Sequence, residues 1–256
     1  MKWHTRLAHV FKLNLLQMKN PFQLLSRQTL GKLGLLAGTV VLATACLPEL
    51  NSADLPPAAF VSVYNGAPDA PGVQISANSN LVNPVPLNYS EWLAYSAFYP
   101  GKRDFRFASF NSATSLLERE FELKADTVYS VFLVEEVDGY EAILTQDQWE
   151  DPTAAEAQLR LVHLSPDAGA VSLEVSGSAT PVLSQAEFKS ISDFSSLSPG
   201  STTLTIKSAD GENLISTGTL ELKGNRVYTL ILRGLKSEAS GSKKLDLQLI
   251  TNYIDF

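Results

Sequence analysis

The chain repeats itself at a distance of about 99 residues, and this duplication constrains the possible fold more than any other feature. An alternating apolar run that breaks into a Pro-Asp turn occupies residues 61–70, and a second run of the same kind occupies residues 159–168. A later landmark, Pro100-Gly101, recurs in the same order as Pro199-Gly200. A period this long indicates a duplicated domain rather than a short solenoid repeat.

Each copy has the pattern of a β-sandwich. Short runs alternate apolar and polar residues, and helical periodicity is almost absent. Turn sequences such as Pro68-Asp69, Asp138-Gly139 and Asp210-Gly211 separate the runs, because Pro presets φ and Gly permits positive φ. About seven strands per copy are typical of a sandwich. The sequence therefore predicts an all-β protein with two tandem immunoglobulin-like antiparallel β-sandwich domains.

The N-terminal region predicts secretion. Residues 1–45 contain six Lys or Arg and no Asp or Glu, and an apolar stretch from Leu33 ends just before Cys46, the only cysteine. That stretch is shorter than the roughly 20 residues of a transmembrane helix, and small residues precede the predicted cleavage site before Cys46. These features resemble a bacterial lipoprotein signal. We expect residues 1–45 to be a signal peptide, with Met18 as an alternative start, and Cys46 to be acylated; a buried cysteine beside an uncleaved anchor is the alternative.

The residues after Cys46 predict where the protein is located and exclude one class of partner. Leu47 directly follows the cysteine, whereas an Asp at this position would resemble an inner-membrane retention signal. We therefore expect the protein to be attached to the outer membrane of the cell envelope, at its periplasmic face or at the cell surface. Removing the six basic residues of 1–45 from the chain's 20 leaves 14 against 27 acidic residues, a net charge near −13. Nucleic acid is therefore not an expected partner, because phosphate binding needs a basic surface.

The predicted domain order follows from the repeat and from composition. Residues 46–58 form the lipidated cysteine and an extended, Pro-containing tether. Residues 59–146 form the first sandwich, 147–157 an acidic linker, and 158–256 the second sandwich. Because the linker is short, we expect the two domains to touch or to hold a limited range of angles.

Several segments resemble one bacterial extracytoplasmic family, the domain of unknown function DUF4397. The resemblance rests on Leu159 to Ala168, with its Ser-Pro-Asp-Ala motif, and on Ser198-Pro199-Gly200. It covers most of residues 59–252 as two copies, and copy one is the weaker because Asn65 and Ala67 replace the His and Ser of the motif. The resemblance implies a secreted or surface β-sandwich with no established activity.

Few residues are candidates for catalysis. From Cys46 onward the chain has one histidine, His163, which removes Cys-His zinc sites, thiol catalysis and triads that need a second histidine. We expect His163 to bond the turn that follows its strand, as its counterpart Asn65 can, with a general base as the alternative. Asp69 and Asp167 occupy equivalent turns, and we expect turn formers there, with calcium binding as the alternative.

Carboxylates are numerous but not arranged as a recognisable site. One cluster, residues 135–138, falls at a predicted hairpin tip, and another comprises Asp147, Glu150 and Asp151. Both predict solvated loops, with weak divalent-ion binding as the alternative. Spacing alone also leaves open a pair of glycosidase carboxylates. No metal and no cofactor is predicted.

Aromatic residues supply the candidate ligand sites, because exposed Trp and Tyr can stack on sugars or anchor a protein. Trp149 in the linker, beside Tyr140, is expected to pack between the domains, with a ligand platform as the alternative. The ligand-binding candidates are Trp149, Tyr140 and Trp92. Core packing is nevertheless expected for most of the segment that holds Trp92, since its aromatic residues correspond to apolar ones in copy two. These are Trp92, Tyr95, Phe98 and Tyr99 against Phe188, Ile191, Phe194 and Leu197.

The sequence thus predicts a non-enzymatic, lipid-anchored envelope protein that binds or assembles through protein–protein interaction, since no catalytic constellation is recognisable. A carbohydrate- or matrix-adhesion module that uses exposed aromatics is the first alternative. A carboxylate-dependent hydrolase is the second. The expected partners are the membrane, through acylated Cys46, and an envelope protein or a surface glycan.

Overall fold

The computed structural model describes residues 56–178 and 181–254. The predicted signal peptide, Cys46 and most of the tether lie outside the described residues. The fold below is that of the compact unit Ala58–Phe256. Every regular element among the described residues is a β-strand, which confirms the predicted all-β class. Accordingly, the described part of the chain offers no helix that is long and apolar enough to cross a membrane.

Eight strands form the first half of this unit. They make two four-stranded sheets, of order β4-β1-β7-β8 and β3-β2-β5-β6. Apolar side chains from both sheets, such as Val63, Ile75, Phe107 and Val131, meet in one core, as the alternating pattern predicted. The strands are β1 (Ala59–Asn65), β2 (Val73–Ala77), β3 (Asn80–Leu81), β4 (Trp92–Phe98), β5 (Gly101–Ser109), β6 (Ser115–Leu123), β7 (Val128–Glu136) and β8 (Gly139–Gln146).

Ten strands form the second half. They make sheets of order β12-β9-β17-β18 and β11-β10-β14-β15, and a two-stranded sheet of β13 and β16. Leu161, Leu173, Ile206 and Leu230 belong to a separate core between the two larger sheets. The strands are β9 (Ala157–His163), β10 (Val171–Val175), β11 (Leu183–Ala186), β12 (Ser195–Leu197), β13 (Gly200–Thr202), β14 (Leu204–Ser208), β15 (Asn213–Ser216), β16 (Leu220–Leu222), β17 (Arg226–Arg233) and β18 (Asp246–Ile254).

The two halves share one topology, which includes a pairing that the sequence did not predict. β1 pairs antiparallel with β4 but parallel with β7, and β9 likewise pairs antiparallel with β12 but parallel with β17. A parallel pair cannot be joined by a tight hairpin, and here most of each half lies between its members. All seven residues of β9 are buried, so this strand is covered on both faces.

The second face of these central sheets is covered by the other half of the unit. Tyr64 and Phe132 of the first half belong to the same buried cluster as Val162, Ile231 and Ile250 of the second. The two halves are therefore in direct contact through an apolar interface of their own.

Candidate binding site

A cleft of about 320 Å³ opens at the side of the first half where β3 and β4 form the sheet edges. We call it cleft one. Because β3 has only two residues, the sheet beside it ends early and leaves the space next to β4 uncovered. The cleft is lined by Ala77, Asn78, Asn80, Leu81, Val82, Ser96, Ala97, Phe98, Tyr99 and Arg103.

Two apolar side chains stand out of the rim of cleft one. Tyr99 is 68% exposed and Leu81 is 57% exposed, so both present apolar surface beside the cavity. They lie on opposite sides of the cleft, since Tyr99 follows β4 and Leu81 ends β3. The lining also includes polar side chains, among them Asn80 and Arg103.

Hydrogen bonds fix the two turns that carry these side chains. Arg103 donates from Nε to the carbonyl oxygen of Tyr99 at 2.8 Å and from Nη2 to that of Pro100 at 2.7 Å. On the other side, the backbone N–H of Asp104 donates to Oδ1 of Asn78 at 2.9 Å. Asn78 has a φ of 52°, a left-handed conformation that asparagine tolerates. The rim is thus held in place before anything binds.

The second half has a cleft at the equivalent position, with a different lining. This cleft two measures about 430 Å³, and hydroxyl groups replace the aromatic and cationic groups of cleft one. Neither lining contains an Asp or a Glu among the described residues. Cleft two is lined by Val175, Ser176, Gly177, Ser178, Ser196, Leu197, Ser198, Pro199, Gly200, Ser201 and Thr202.

Strand register corrects the sequence comparison of the aromatic segment. Phe98 pairs with Ala59, and Leu197 pairs with Ala157, so Phe98 corresponds to Leu197 and the next residue, Tyr99, corresponds to Ser198. Core packing is therefore right for Phe98, which packs against the first core, and wrong for Tyr99. The sequence comparison was shifted by a few residues because both segments are rich in large apolar side chains.

The three predicted ligand candidates lie in different environments. Trp92 begins β4 and is 46% exposed. Tyr140 is half-buried against the first core, and this burial raises the pKa of its phenol. Trp149 is only 8% exposed, and its indole contacts the rings of Tyr95, Phe194 and Tyr253 at centroid distances of 6.4, 5.7 and 5.8 Å.

Trp149 therefore contacts both halves, because Tyr95 belongs to β4 and Tyr253 to β18. Tyr95 and Phe194 are equivalent positions of the repeat, so the indole contacts the same position in each copy. Of the three candidates, Trp92 alone presents a large exposed surface. Cys46, the predicted lipidation site, lies outside the described residues.

His163 is buried and bonded to the turn that follows its strand. Its Nε2 lies 2.9 Å from the carbonyl oxygen of Gly169 and so donates, while its Nδ1 accepts from the backbone N–H of Ser165 at 3.3 Å. Asn65 does the same in the first half, where its Oδ1 accepts from the N–H of Ala67 at 3.1 Å. The expected turn contact is thus present in both copies. Burial lowers the pKa of His163.

The turn aspartates bond the long loop of residues 234–245 rather than only their own turns. Asp167 accepts from the backbone N–H groups of Lys236 and Ser237 at 2.7 and 2.8 Å, and from the hydroxyl of Ser165 at 3.3 Å. Asp69 forms an ion pair with Lys243 of the same loop. Both carboxylates therefore have cationic or backbone N–H partners within the chain, because the β17–β18 connection is long enough to reach both turns.

The acidic clusters are also more engaged than the sequence suggested. Glu136 forms an ion pair with Lys189, which also donates to Glu141 at 2.7 Å. The described residues contain no group of three or more His, Cys, Asp or Glu that could hold a metal ion. Asp147, expected in a solvated loop, is buried, since it bonds Arg160 of the other half at 2.6 Å.

Comparisons with solved structures give distant likenesses. An α-glucan-recognising family 41 carbohydrate-binding module from streptococcal virulence factors is 7% identical, with a TM-score of 0.24, over 72% of this chain and 97% of that one. A DUF3823 family protein from Bacteroides ovatus is 7% identical, with a TM-score of 0.20, over 65% and 99%. A candidate cell adhesion protein from Bacteroides fragilis is 9% identical, with a TM-score of 0.21, over 78% and 98%.

At these TM-scores the likenesses do not bear on what this chain binds. No curated protein matches the sequence. One family model does match, over residues 59–174, which span the first half and the first two strands of the second. A second tandem copy remains a prediction of the sequence repeat and the shared topology. The family model that matches residues 59–174 is that of the domain of unknown function DUF4397.

Proposed function

We propose that the protein is a non-enzymatic binding module of the bacterial cell envelope that acts through protein–protein interaction at cleft one. The observation that carries the proposal is the pair of exposed apolar side chains, Tyr99 and Leu81, on opposite sides of a preformed cleft. Large apolar groups held outside the core favour contact with another molecule, because their burial in a complex is favourable.

The chemistry of the clefts supports binding rather than hydrolysis. Acid–base hydrolysis of a glycoside uses two carboxyl groups that flank the scissile bond. Neither cleft has an Asp or Glu in its described lining, and the turn carboxylates Asp69 and Asp167 bond a loop of the same chain. The proposal therefore assigns cleft one to recognition.

Attachment to the outer membrane through acylated Cys46 is part of the proposal. Its support is the short apolar stretch and the small residues that precede the only cysteine. Metabolic labelling with an alkyne-tagged fatty acid tests it. Labelling of the wild-type protein and its loss in Cys46→Ala are expected, whereas equal labelling of both would contradict the anchor.

Site-specific photocrosslinking in intact cells tests the binding role. A benzophenone amino acid at position 81 is expected to form one predominant adduct with another envelope protein. The matched control carries the same group at position 137, where Val137 is 98% exposed at the tip of the β7–β8 hairpin. A protein adduct at 81 that is absent at 137 supports the proposal; equal adducts, or none at 81, count against it.

A carbohydrate ligand is the second candidate, favoured by one specific feature of cleft one. The exposed ring of Tyr99 shares cleft one with the polar side chains of Asn80 and Arg103, and sugars are bound by an aromatic face together with polar groups. Titration with soluble glycans, followed by isothermal titration calorimetry, distinguishes this candidate. A saturable change that Tyr99→Ala abolishes would favour the glycan; an unchanged signal favours the protein partner.

A further inference from the structure

Arg103 brings a positive charge into cleft one that no carboxylate of the described residues neutralises. Within the described chain its guanidinium bonds three backbone carbonyl oxygens, those of residues 99, 100 and 102, at 2.8, 2.7 and 3.1 Å. By contrast, Arg106 of the same strand forms an ion pair with Glu118 at 3.4 Å. Carbonyl groups carry no net charge, so cleft one keeps a cation that can attract an anion.

The guanidinium retains donors for a further acceptor. Of its five N–H groups, the three bonds use one on Nε, one on Nη1 and one on Nη2, which leaves one N–H on each Nη atom. A carboxylate accepts from arginine with its two oxygens, and such a charge-assisted contact is stronger than one between neutral groups. Arg103 therefore has donors for a carboxylate besides those that fix the turn.

The remainder of the described lining adds neutral donors and no competing acid. The side-chain oxygen of Asn78 accepts from the backbone N–H of Asp104, and its NH2 group has no acceptor among the described residues. Asn80 and Ser96 add a further amide and a hydroxyl. An anion in cleft one would therefore gain a counter-ion and neutral donors, which offset its loss of hydration.

The equivalent turn of the second half forms without an arginine. Strand register aligns Gly101, which begins β5, with Gly200, which begins β13. Two residues further on, Arg103 therefore corresponds to Thr202. The hydroxyl of Thr202 lies 3.0 Å from that of Ser176, and no charged group belongs to the described lining of cleft two. A role in folding the turn thus does not account for the charge in cleft one.

We infer that Arg103 binds the carboxylate of an Asp or Glu side chain of the partner protein, with apolar neighbours of that residue in contact with Tyr99 and Leu81. This inference rests on the proposed function and names the group that cleft one recognises. Apolar side chains on opposite sides of the cleft favour a peptide, because apolar residues can flank an acidic one on both sides. Acidic residues outnumber basic ones in this chain, so a long acidic run would be repelled and a single carboxylate is expected.

Two peptides that differ in one group test this recognition. Acetyl-Ala-Leu-Glu-Leu-Ala-amide and the same peptide with Gln in place of Glu have nearly the same shape, but only the first carries a carboxylate. Each would be titrated, up to millimolar concentration, into the full-length protein in lipid nanodiscs and followed by isothermal titration calorimetry. The Glu peptide should bind about tenfold more tightly, as expected for one charge-assisted contact. Equal binding of the two peptides, or no binding of either, would overturn the inference.

Arginine variants locate the recognised carboxylate. Arg103→Met removes the charge, and Arg106→Met is the matched control, since Arg106 lies three residues further along β5 on its opposite face. The preference for the Glu peptide should be lost in the first variant and kept in the second. Arg103→Lys keeps the charge without the planar group that bonds the turn, and it should retain part of the preference. A full preference in Arg103→Met, or its loss in Arg106→Met, would refute the assignment to Arg103.

The outcomes separate this inference from the proposed function. If Arg103→Met leaves the crosslink at position 81 at wild-type yield, cleft one binds a protein without holding a carboxylate, and the inference alone fails. If oligogalacturonate binds and the Glu peptide does not, the recognised carboxylate belongs to a glycan and the inference is overturned. If the wild-type chain gives no protein adduct at position 81, the proposed function fails first.

Discussion

Arg160 and Asp147 form a buried ion pair that joins the two halves of the fold. Nη1 of Arg160, in β9, donates to Oδ1 of Asp147, directly after β8, at 2.6 Å, and the two side chains are 2% and 0% exposed. Further donors complete the site: Nη2 of Arg160 donates to Ser130 at 3.0 Å, and Tyr95 donates to Asp147 at 2.6 Å. A buried pair is tolerable only when its remaining polar atoms are bonded in this way.

The network continues to the last strand, and aromatic rings flank it. Nε of Arg160 donates to Oγ1 of Thr229 at 2.9 Å, and that hydroxyl donates to Asn252 at 2.6 Å. The guanidinium carbon lies 4.6 Å from the ring centroid of Phe194, which adds a cation–π contact. The orientation of one half against the other is therefore specified by polar contacts as well as by the apolar interface.

Replacing Arg160 with Met should be strongly destabilising, because it leaves the carboxylate of Asp147 buried without its cation. The expected loss is about 3 to 5 kcal/mol in the free energy of unfolding, measured by urea denaturation. The double variant Arg160→Met, Asp147→Leu should recover part of that loss. As a control, Lys102→Met removes an exposed ion pair with Glu120 and should cost far less than Arg160→Met, because solvent screens the exposed pair. Equal losses in both single variants would contradict this account.

The neutral, buried His163 should make stability fall in mild acid. Burial lowers its pKa in the folded chain below the ordinary value of 6.5, so the unfolded chain binds the proton more readily. The contribution of neutral His163 to the free energy of unfolding is fully present above pH 6.5 and is lost as the pH falls toward the pKa of His163 in the folded chain. Urea unfolding between pH 7.5 and pH 5 should therefore show a decline that is reduced in His163→Asn, which carries the residue found at the equivalent Asn65. An identical decline in both proteins would contradict the buried imidazole.

Much of this architecture could be predicted from the sequence, because strand patterns and turn residues are local. The all-β class, the apolar cores and the turn role of His163 follow from residues close together in the chain. The interface between the halves could not be predicted. Arg160 looks like a solvent-facing residue of an alternating strand, and only the packing of one sheet on another makes its position interior.

Cleft one escaped prediction for a related reason. Its principal residue, Tyr99, sits beside Phe98, which packs against the core, and no pattern in the sequence separates the two roles. Strand register separates them, since it aligns Phe98 with Leu197 and leaves Tyr99 opposite Ser198. A repeat aligned from strand pairing rather than from residue type would have identified the unmatched tyrosine.

Asp167 should hold the loop of residues 234–245 against the turn of the second half. Burial tends to raise the pKa of Asp167, but hydrogen bonds from the backbone N–H groups of Lys236 and Ser237 outweigh it and leave the pKa below its ordinary value. In Asp167→Asn the two amides should exchange several-fold faster with solvent, because a neutral acceptor is weaker than a carboxylate. Amide exchange at Lys236 and Ser237 measures this, with Asp210→Asn, in the exposed β14–β15 turn, as the control. Unchanged exchange in Asp167→Asn would show that the loop is held by other contacts.

The most direct test of the account is the effect of Tyr99→Ser on the crosslink formed from position 81 in intact cells. The substitution installs the residue of cleft two, and it should change the free energy of unfolding by at most about 0.5 kcal/mol because the ring is exposed. Ser198→Ala in cleft two is the matched control. The account predicts at least a tenfold loss of adduct in Tyr99→Ser and no loss in Ser198→Ala; an adduct of wild-type yield in Tyr99→Ser would contradict cleft one as the binding site.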